Sequence, residues 1–466
     1  GLAAALLLLL STPCPAATYY VATTGNDSHT TTQAQNPATP WLTLTKADTA
    51  GANEDTIRIA AGIYVENGSA NCWNIGKRMT WIADGEVIVR GHASGTRAAY
   101  LSAGASGSTF YGITFDGEDA KTDTVNCNSG FTGASFYNCT FLNALTRVFN
   151  LYALPSLTNI LFDRCTFTNA TRTTCTTLAI ASAVPNTIAV TNCTFNSRAE
   201  GQYILQIGSE SLGSYSNTSS ATVTGNRFFG VLYFDSSRIG SSTHALLIGT
   251  TINATVKGNY FNGCPYGVVV KHEGQAFTGA GVLNNVFVNC GPYSALYSKG
   301  AQNVPFLSNT VWVDSDFTTS GNGLQIGANG ALGAGSGCVA KNNIFAVRGN
   351  GKAVRIDDAE SSAGFASDYN VLYIQGGSTT VATVTGTART WSEWLALGYD
   401  AHGINAHPKF LDPANRDFRP SRSSPCINAG TDAGLTSDFR GWPVPSYGAP
   451  DIGAHEFWEQ GPIMVQ

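Results

Sequence analysis

One short pattern recurs along most of this chain: a polar turn residue, then Cys or Asn, then one residue, then a large apolar residue. It reads NCTF ending at Phe141, RCTF at Phe167 and NCTF at Phe195. GNRF at Phe228, GNYF at Phe261 and NNVF at Phe287 follow, then SNTV at Val311, NNIF at Phe345 and YNVL at Leu372; GITF at Phe115 opens the series. Successive anchors are 24 to 34 residues apart. Self-similarity at such a period signals a chain of stacked units, each burying its apolar side against its neighbours. Every unit carries a short alternating run, such as TIAVTNCTF or ATVKGNYF, and none holds a helix of three turns. Helical solenoids are therefore excluded, and a propeller needs about 40 residues per blade. The remaining class is all-β: a single-stranded parallel β-helix, a solenoid of about ten or more coils with a cap at each end.

In such a coil equivalent residues stack about 4.8 Å apart. The anchors then form an apolar stack from Phe115 to Leu372. The column two residues earlier is Cys139, Cys165, Cys193, Asn226, Asn259, Asn285, Asn309, Asn343 and Asn370. Stacked Asn amides can hydrogen-bond up and down a ladder while satisfying turn backbone. Three stacked Cys pack as small buried hydrophobes. Disulfide and metal roles are the rival reading for the 11 cysteines, but no pair has metal-ligand spacing. The Asn-x-Ser/Thr sequons at Asn138 and Asn192 read as packing positions on the same ladder, not as glycan acceptors.

Composition agrees with many short strands. Only 12% of residues are charged and 51 are Gly, which disfavours helix. A net charge of −5 points away from nucleic acid, so an acidic ligand would need a local basic patch. The first residues, GLAAALLLLLSTPCPAA, read as the apolar and cleavage regions of a secretory signal whose start is truncated, cut near Ala17. Its apolar run is too short to span a bilayer. The expectation is an exported monomer, extracellular or periplasmic, with no membrane insertion. Residues 18–66 read as the N-terminal cap and first coil, 67–375 as the repeats, and 376–466 as a C-terminal capping segment with a short amphipathic helix at WSEWLALG.

The opening TYYVATTGNDS…PWLTLTKADTAGANEDTIRIAAGIYVE resembles that of secreted bacterial right-handed parallel β-helix proteins. The end resembles a C-terminal segment many of them share: SPCINAG at residues 424–430, then DIGAHE at 451–456. With the repeats, the resemblance covers nearly all of the mature chain. It implies a right-handed coil, an architecture that hosts polysaccharide lyases, glycoside hydrolases, esterases and adhesive proteins.

A second set of rows aligns as ILQIG to Gly208, LLIG to Gly249, VVVK to Lys271, LYSK to Lys299, LQIG to Gly327 and VRID to Asp357. Strand alternation sends Leu205, Leu246, Val268, Leu296, Leu324 and Val354 inward, with Ile207, Ile248, Val270, Ser298, Ile326 and Ile356. The columns between point outward, and one of them places Lys271 beside Lys299 on adjacent coils. Two ammonium groups that close repel one another, which favours loss of a proton from one and strengthens attraction for an anion. The glycines on either side leave room for a shallow groove. Tyr297, His272, Glu273, Gln325, Arg355, Asp357 and Asp358 lie within a coil or two. Exposed lysines that only aid solubility, with Lys271 paired to Glu273, are the plain alternative.

This constellation suits β-elimination on a uronic-acid-containing, acidic polysaccharide. The enzyme must neutralise the sugar carboxylate and place a base at the proton beside it. Lys271 reads as base, Lys299 as carboxylate neutraliser and Tyr297 or His272 as acid, with Glu273, Gln325, Arg355, Asp357 and Asp358 as substrate contacts. The arrangement resembles β-helix lyases of the alginate and pectate type, some of which carry Lys on one coil and Arg on the next. That resemblance also brings Ca²⁺ as an alternative holder of the carboxylate, although no acidic cluster marks a site for it. A glycoside hydrolase on the same fold is the second reading and needs a carboxylate pair, from Glu273, Asp357, Asp358 or Asp235. A non-catalytic glycan-binding or adhesive rod is the third.

Overall fold

The computed structural model of the chain describes residues 16–66, 71–169, 176–182, 186–197, 203–208, 220–230, 244–249, 253–314, 321–330 and 333–458. The apolar run read as an export signal and Asp235 lie outside the described residues. The rest winds as a right-handed parallel β-helix of about 10 turns.

From Gly133 onward each coil has three strands; before it, Thr56–Glu66, Thr80–Gly91 and Thr109–Asp116 each run as one strand across the first two faces. In the coil carrying Phe261, Asn253–Lys257 lies on the first face, Tyr260–Asn262 on the second and Tyr266–Lys271 on the third. The alternating run ATVKGNYF is thus two strands broken at a corner. The break has a backbone cause. The residue before each ladder position is left-handed: φ is 53° at Asn138, 55° at Asn192, 68° at Gly225, 66° at Gly258 and 55° at Asn342. Asn and Gly adopt this conformation at little cost. Arg164, Ser308 and Tyr369 also adopt it, at φ 52–58°. This corrects one sequence expectation. Asn138 and Asn192 sit at the corner, exposed, one residue before the ladder, and are not packed within it.

The ladder itself is continuous. The amide nitrogen of each of Asn226, Asn259, Asn285, Asn309 and Asn343 donates to the side-chain oxygen of the next Asn at 2.9–3.0 Å. The backbone N–H of each donates to that same oxygen at 2.8–3.0 Å. Cys193 N joins from the other end, donating to Asn226 Oδ1 at 2.8 Å, and Cys165 N donates to Cys193 Sγ at 3.3 Å. All cysteines among the described residues are free and buried. Beside the ladder, the rings from Phe115 to Phe287 stack with centroids 4.6–5.2 Å apart and planes within 18°. Such aromatic pairs each add about 0.5–1.5 kcal/mol beyond area burial.

Both ends are covered. At the start, Trp41, Leu44 and Ala47 join the main core, the last two from the helix Leu44–Ala50. At the far end the ladder stops on Asp400, whose Oδ1 accepts Asn370 Nδ2 at 2.8 Å. Its Oδ2 accepts Trp394 Nε1 at 2.8 Å and Ser367 Oγ at 2.6 Å. Trp394 belongs to the helix Trp391–Ala396, within the stretch read as helical from the sequence. The chain then folds back. Phe410, Phe418, Cys426, Ile452 and Ala454 pack on the outer side of the second face, against Val286, Val288, Trp312, Ile344, Ala346 and Val371. Ala454 N donates to Thr310 Oγ1 and Gly453 N to Asn342 O. The final segment therefore straps the side of several coils as well as following the end cap. No helix among the described residues is long and apolar enough to cross a membrane.

Candidate functional site

The third face carries the lysines, and its register agrees with the alignment made from the sequence. Leu205, Leu246, Val268, Leu296, Leu324 and Val354 pair successively, as do Ile207, Ile248, Val270, Ser298, Ile326 and Ile356. All are buried and, Ser298 aside, belong to the main core. Gly249 pairs with Lys271 and Lys299 with Gly327, while Lys271 and Lys299 directly follow the paired Val270 and Ser298. The lysines therefore lie at the outward ends of adjacent strands, where the parallel register breaks: Lys271 bridges Gly300, one residue past Lys299. The chain beyond them stays linked, since His272 N donates to Lys299 O at 3.1 Å. Both lysines are partly exposed.

The flanking glycines do not leave a bare groove. Gly249 and Gly327 are buried. A Cβ on Gly327 would lie 2.5 Å from Asp357 Oδ2, so the missing side chain is what makes room for that carboxylate. Asp357 anchors a polar row: Arg355 Nε donates to its Oδ1 at 2.6 Å and Gln325 Nε2 to its Oδ2 at 2.7 Å. Ser294 Oγ donates in turn to Gln325 Oε1 at 2.7 Å. Arg355 and Gln325 are register partners, one strand apart.

On the other side of the lysines the outward column is apolar. Leu247 and Val269 are buried in a small cluster of their own with Tyr203 and Tyr297, outside the main core. A row of rings runs along its edge: Tyr203 on His244 at 5.0 Å, His244 on Tyr266 at 4.8 Å, and Tyr266 on Tyr293 at 4.7 Å, with planes 7–24° apart. Three of its members, Tyr203, His244 and Tyr266, are in register. The sequence reading missed this row; its signal was that Tyr203, His244 and Tyr266 each stand two residues before an aligned inward position.

Tyr297 sits where the apolar cluster meets the lysines. Strand alternation puts Tyr297 and Lys299 on the same side of the sheet. Its ring is 6.1 Å from that of Tyr266. Burial, and after it the Asp357 charge, holds the Tyr297 phenol well above its ordinary value, so it stays protonated. Burial and the neighbouring Tyr293 push Tyr266 up to about 12.

The remaining expected residues separate. His272 is buried, 1% exposed, with its ring 6.2 Å from that of Phe277, so it is withdrawn from the outer face. Asp358 is a helix cap: its Oδ1 accepts Ser361 N at 2.7 Å and its Oδ2 accepts Ala328 N at 2.9 Å. Glu273 is half-buried just past Lys271. Three strand steps separate the strand before Glu273 from that before Asp357, about 14 Å at 4.8 Å each. The two carboxylates thus start from strands well apart, whereas a hydrolytic pair needs its carboxyl groups roughly 5–9.5 Å from one another.

Nor do these carboxylates fit a protein-held Ca²⁺, which takes 6–8 oxygen ligands. Asp357 is taken by Arg355 and Gln325, and Asp358 by two backbone N–H groups. Among the described residues no group of three or more His, Cys, Asp or Glu side chains is placed to hold a metal ion.

No known protein family and no curated protein matches the sequence. Solved structures do match in fold. A xylose complex of XylC superposes with a TM-score of 0.51 at 9% identity, covering 95% of this chain and 99% of that one. Pectate lyase Pel9A matches at 16% identity and TM-score 0.36, covering 94% and 96%. The A-module of the Azotobacter vinelandii mannuronan C-5 epimerase AlgE4 matches at 12% and 0.39, covering 76% and 91%. At these identities the likeness is one of architecture, and the chain is similar to these proteins as another right-handed parallel β-helix.

Proposed function

We propose that this chain is an exported polysaccharide lyase that cleaves a uronic-acid-containing polymer by β-elimination on the third face. The observation that carries the reading is the juxtaposition of Lys271 and Lys299 at the outward ends of adjacent strands, next to a protonated Tyr297. Lys299 pairs with the sugar carboxylate. The amine of Lys271 takes the proton on the carbon beside it. As that electron pair forms the new double bond, the bond to the leaving oxygen breaks and Tyr297 donates its proton there. Gln325, Arg355 and Asp357 form the polar side of the substrate bed, and the ring row from Tyr203 to Tyr293 the apolar side.

The test is release of ultraviolet-absorbing unsaturated ends from a panel of uronate polymers, with and without a chelator. Wild type runs beside Lys271→Ala, Lys299→Ala and Tyr297→Phe. The expected result is activity on one polymer that survives the chelator and falls by about 10²–10⁴ in the Lys271 and Tyr297 variants. New reducing ends on a neutral glycan without unsaturation would replace the proposal with hydrolysis. Absence of any release would leave a binding or adhesive role.

A further inference from the structure

The C-terminal strap carries a cavity of about 320 Å³ on its outer side, lined by Leu411, Arg419, Arg422, Trp442, Glu456 and Trp458 among others. It is built from the strap alone and contains none of the residues assigned to the third face. We propose that this cavity is a second carbohydrate site, which binds a carboxylated sugar unit of an acidic oligosaccharide and does no chemistry on it.

The size lies at the lower end of the about 300–1,000 Å³ common for small-molecule sites. The walls are of two kinds. One is aromatic: Trp442 and Trp458 meet with centroids 5.4 Å apart and planes at 51°, and Tyr447 extends the surface 5.6 Å beyond Trp458. Trp458 is 42% exposed and Tyr447 54%. A ring surface open to solvent matches the C–H face of a sugar. The other wall presents guanidinium groups, one of them, Arg419, with its charge offset by Asp417. Arg422 is exposed at the cavity, and Arg419 is fixed beside it by a two-pronged ion pair with Asp417. Arg440 lies over the Trp442 ring at 4.8 Å, holding the platform and adding positive charge behind it. Planar guanidinium groups match the geometry of a carboxylate. The one acid in the lining, Glu456, is nearly buried, with its two oxygens accepting Ser446 N and Asp451 N at 2.9 Å each. Burial pushes that carboxyl up to about 7, so it opposes an anionic ligand weakly in mildly acid solution.

The experiment is calorimetric titration of the full chain with acidic oligosaccharides and with the same sugars reduced at the carboxyl to neutral alcohols. Three variants are compared: Trp442→Ala, Arg422→Gln and the double Lys271→Ala/Lys299→Ala. The expected result is a binding event kept in the double-lysine variant and weakened at least tenfold by Trp442→Ala and by Arg422→Gln. Neutral sugars bind at least tenfold more weakly than acidic ones. Arg422 is exposed, so its variant folds even if Trp442→Ala does not. Binding lost in the double-lysine variant but unchanged in the strap variants would overturn the second site. Equal affinity for acidic and neutral sugars would overturn the acidic ligand. No binding at all would overturn both, whatever the lyase assay shows.

Discussion

Replacing Asn285 with Ala removes one rung from the middle of the amide ladder. Its side chain makes four hydrogen bonds at 0% exposure. Nδ2 donates to Val256 O at 2.9 Å and to Asn309 Oδ1 at 3.0 Å. Oδ1 accepts the backbone and side-chain N–H groups of Asn259, each at 2.9 Å. At about 1 kcal/mol net per bond the loss is about 4 kcal/mol, and Ala returns no donor or acceptor to the groups left behind. Denaturant unfolding reads the stability. Hydrogen exchange at the Asn259 amide reads it locally, where about 4 kcal/mol corresponds to roughly a thousandfold loss of protection. The control is Asn138→Gly, at the exposed left-handed corner one residue before the ladder column. Glycine accepts that backbone freely, so the change stays within about 0.5 kcal/mol. A loss below about 1 kcal/mol in Asn285→Ala, or no difference from the control, would refute the ladder as an energetic spine of the coil.

Gly327→Ala forces a methyl group to within 2.5 Å of Asp357 Oδ2. The expected outcome is an overpacking cost of about 1–3 kcal/mol, or displacement of Asp357 from Arg355 and Gln325 with a rise in KM and little change in kcat; thermal unfolding and kinetics separate the two. His455 is buried beside Phe439, and burial with the charges of Arg440 and Arg419 lowers it to about 3, Asp417 opposing. The unfolded chain then binds a proton near pH 6.5 that the folded chain refuses. Stability from this group is complete above that pH and falls by about 1.4 kcal/mol per unit as pH drops toward 3. Glu456, raised to about 7, has the opposite sign: its contribution is present in acid and lost as pH rises from about 4.5 to 7. His455→Gln should therefore flatten the acid side of the stability curve and leave the neutral side unchanged, as followed by melting temperature between pH 7 and 4.

The parts of this protein legible from sequence are those that repeat once per coil. A parallel coil brings each residue under its counterpart one period later, so the Phe stack and the Asn column are linear features of the text. Strand alternation likewise decided that Lys271 and Lys299 end adjacent strands on the outward side, and the register agrees at Val270–Ser298 and Lys299–Gly327. Only the tertiary structure decided features that depend on residues far apart or on backbone corners. The left-handed residues before the ladder split the alternating run into two strands and turned Asn138 and Asn192 outward. The chain turn after Lys271 drew His272 inward beside Phe277, although alternation past the strand end had no hold on it. Asp358 became a helix cap because a short helix, Ala359–Ser362, starts just after it. Asp400 closes the ladder, and the strap lays Phe410, Phe418 and Ile452 along the second face. Neither belongs to the period, so no local pattern announces it. Such contacts are chosen by which apolar surface and which unpaired amide remain uncovered once the coil has formed.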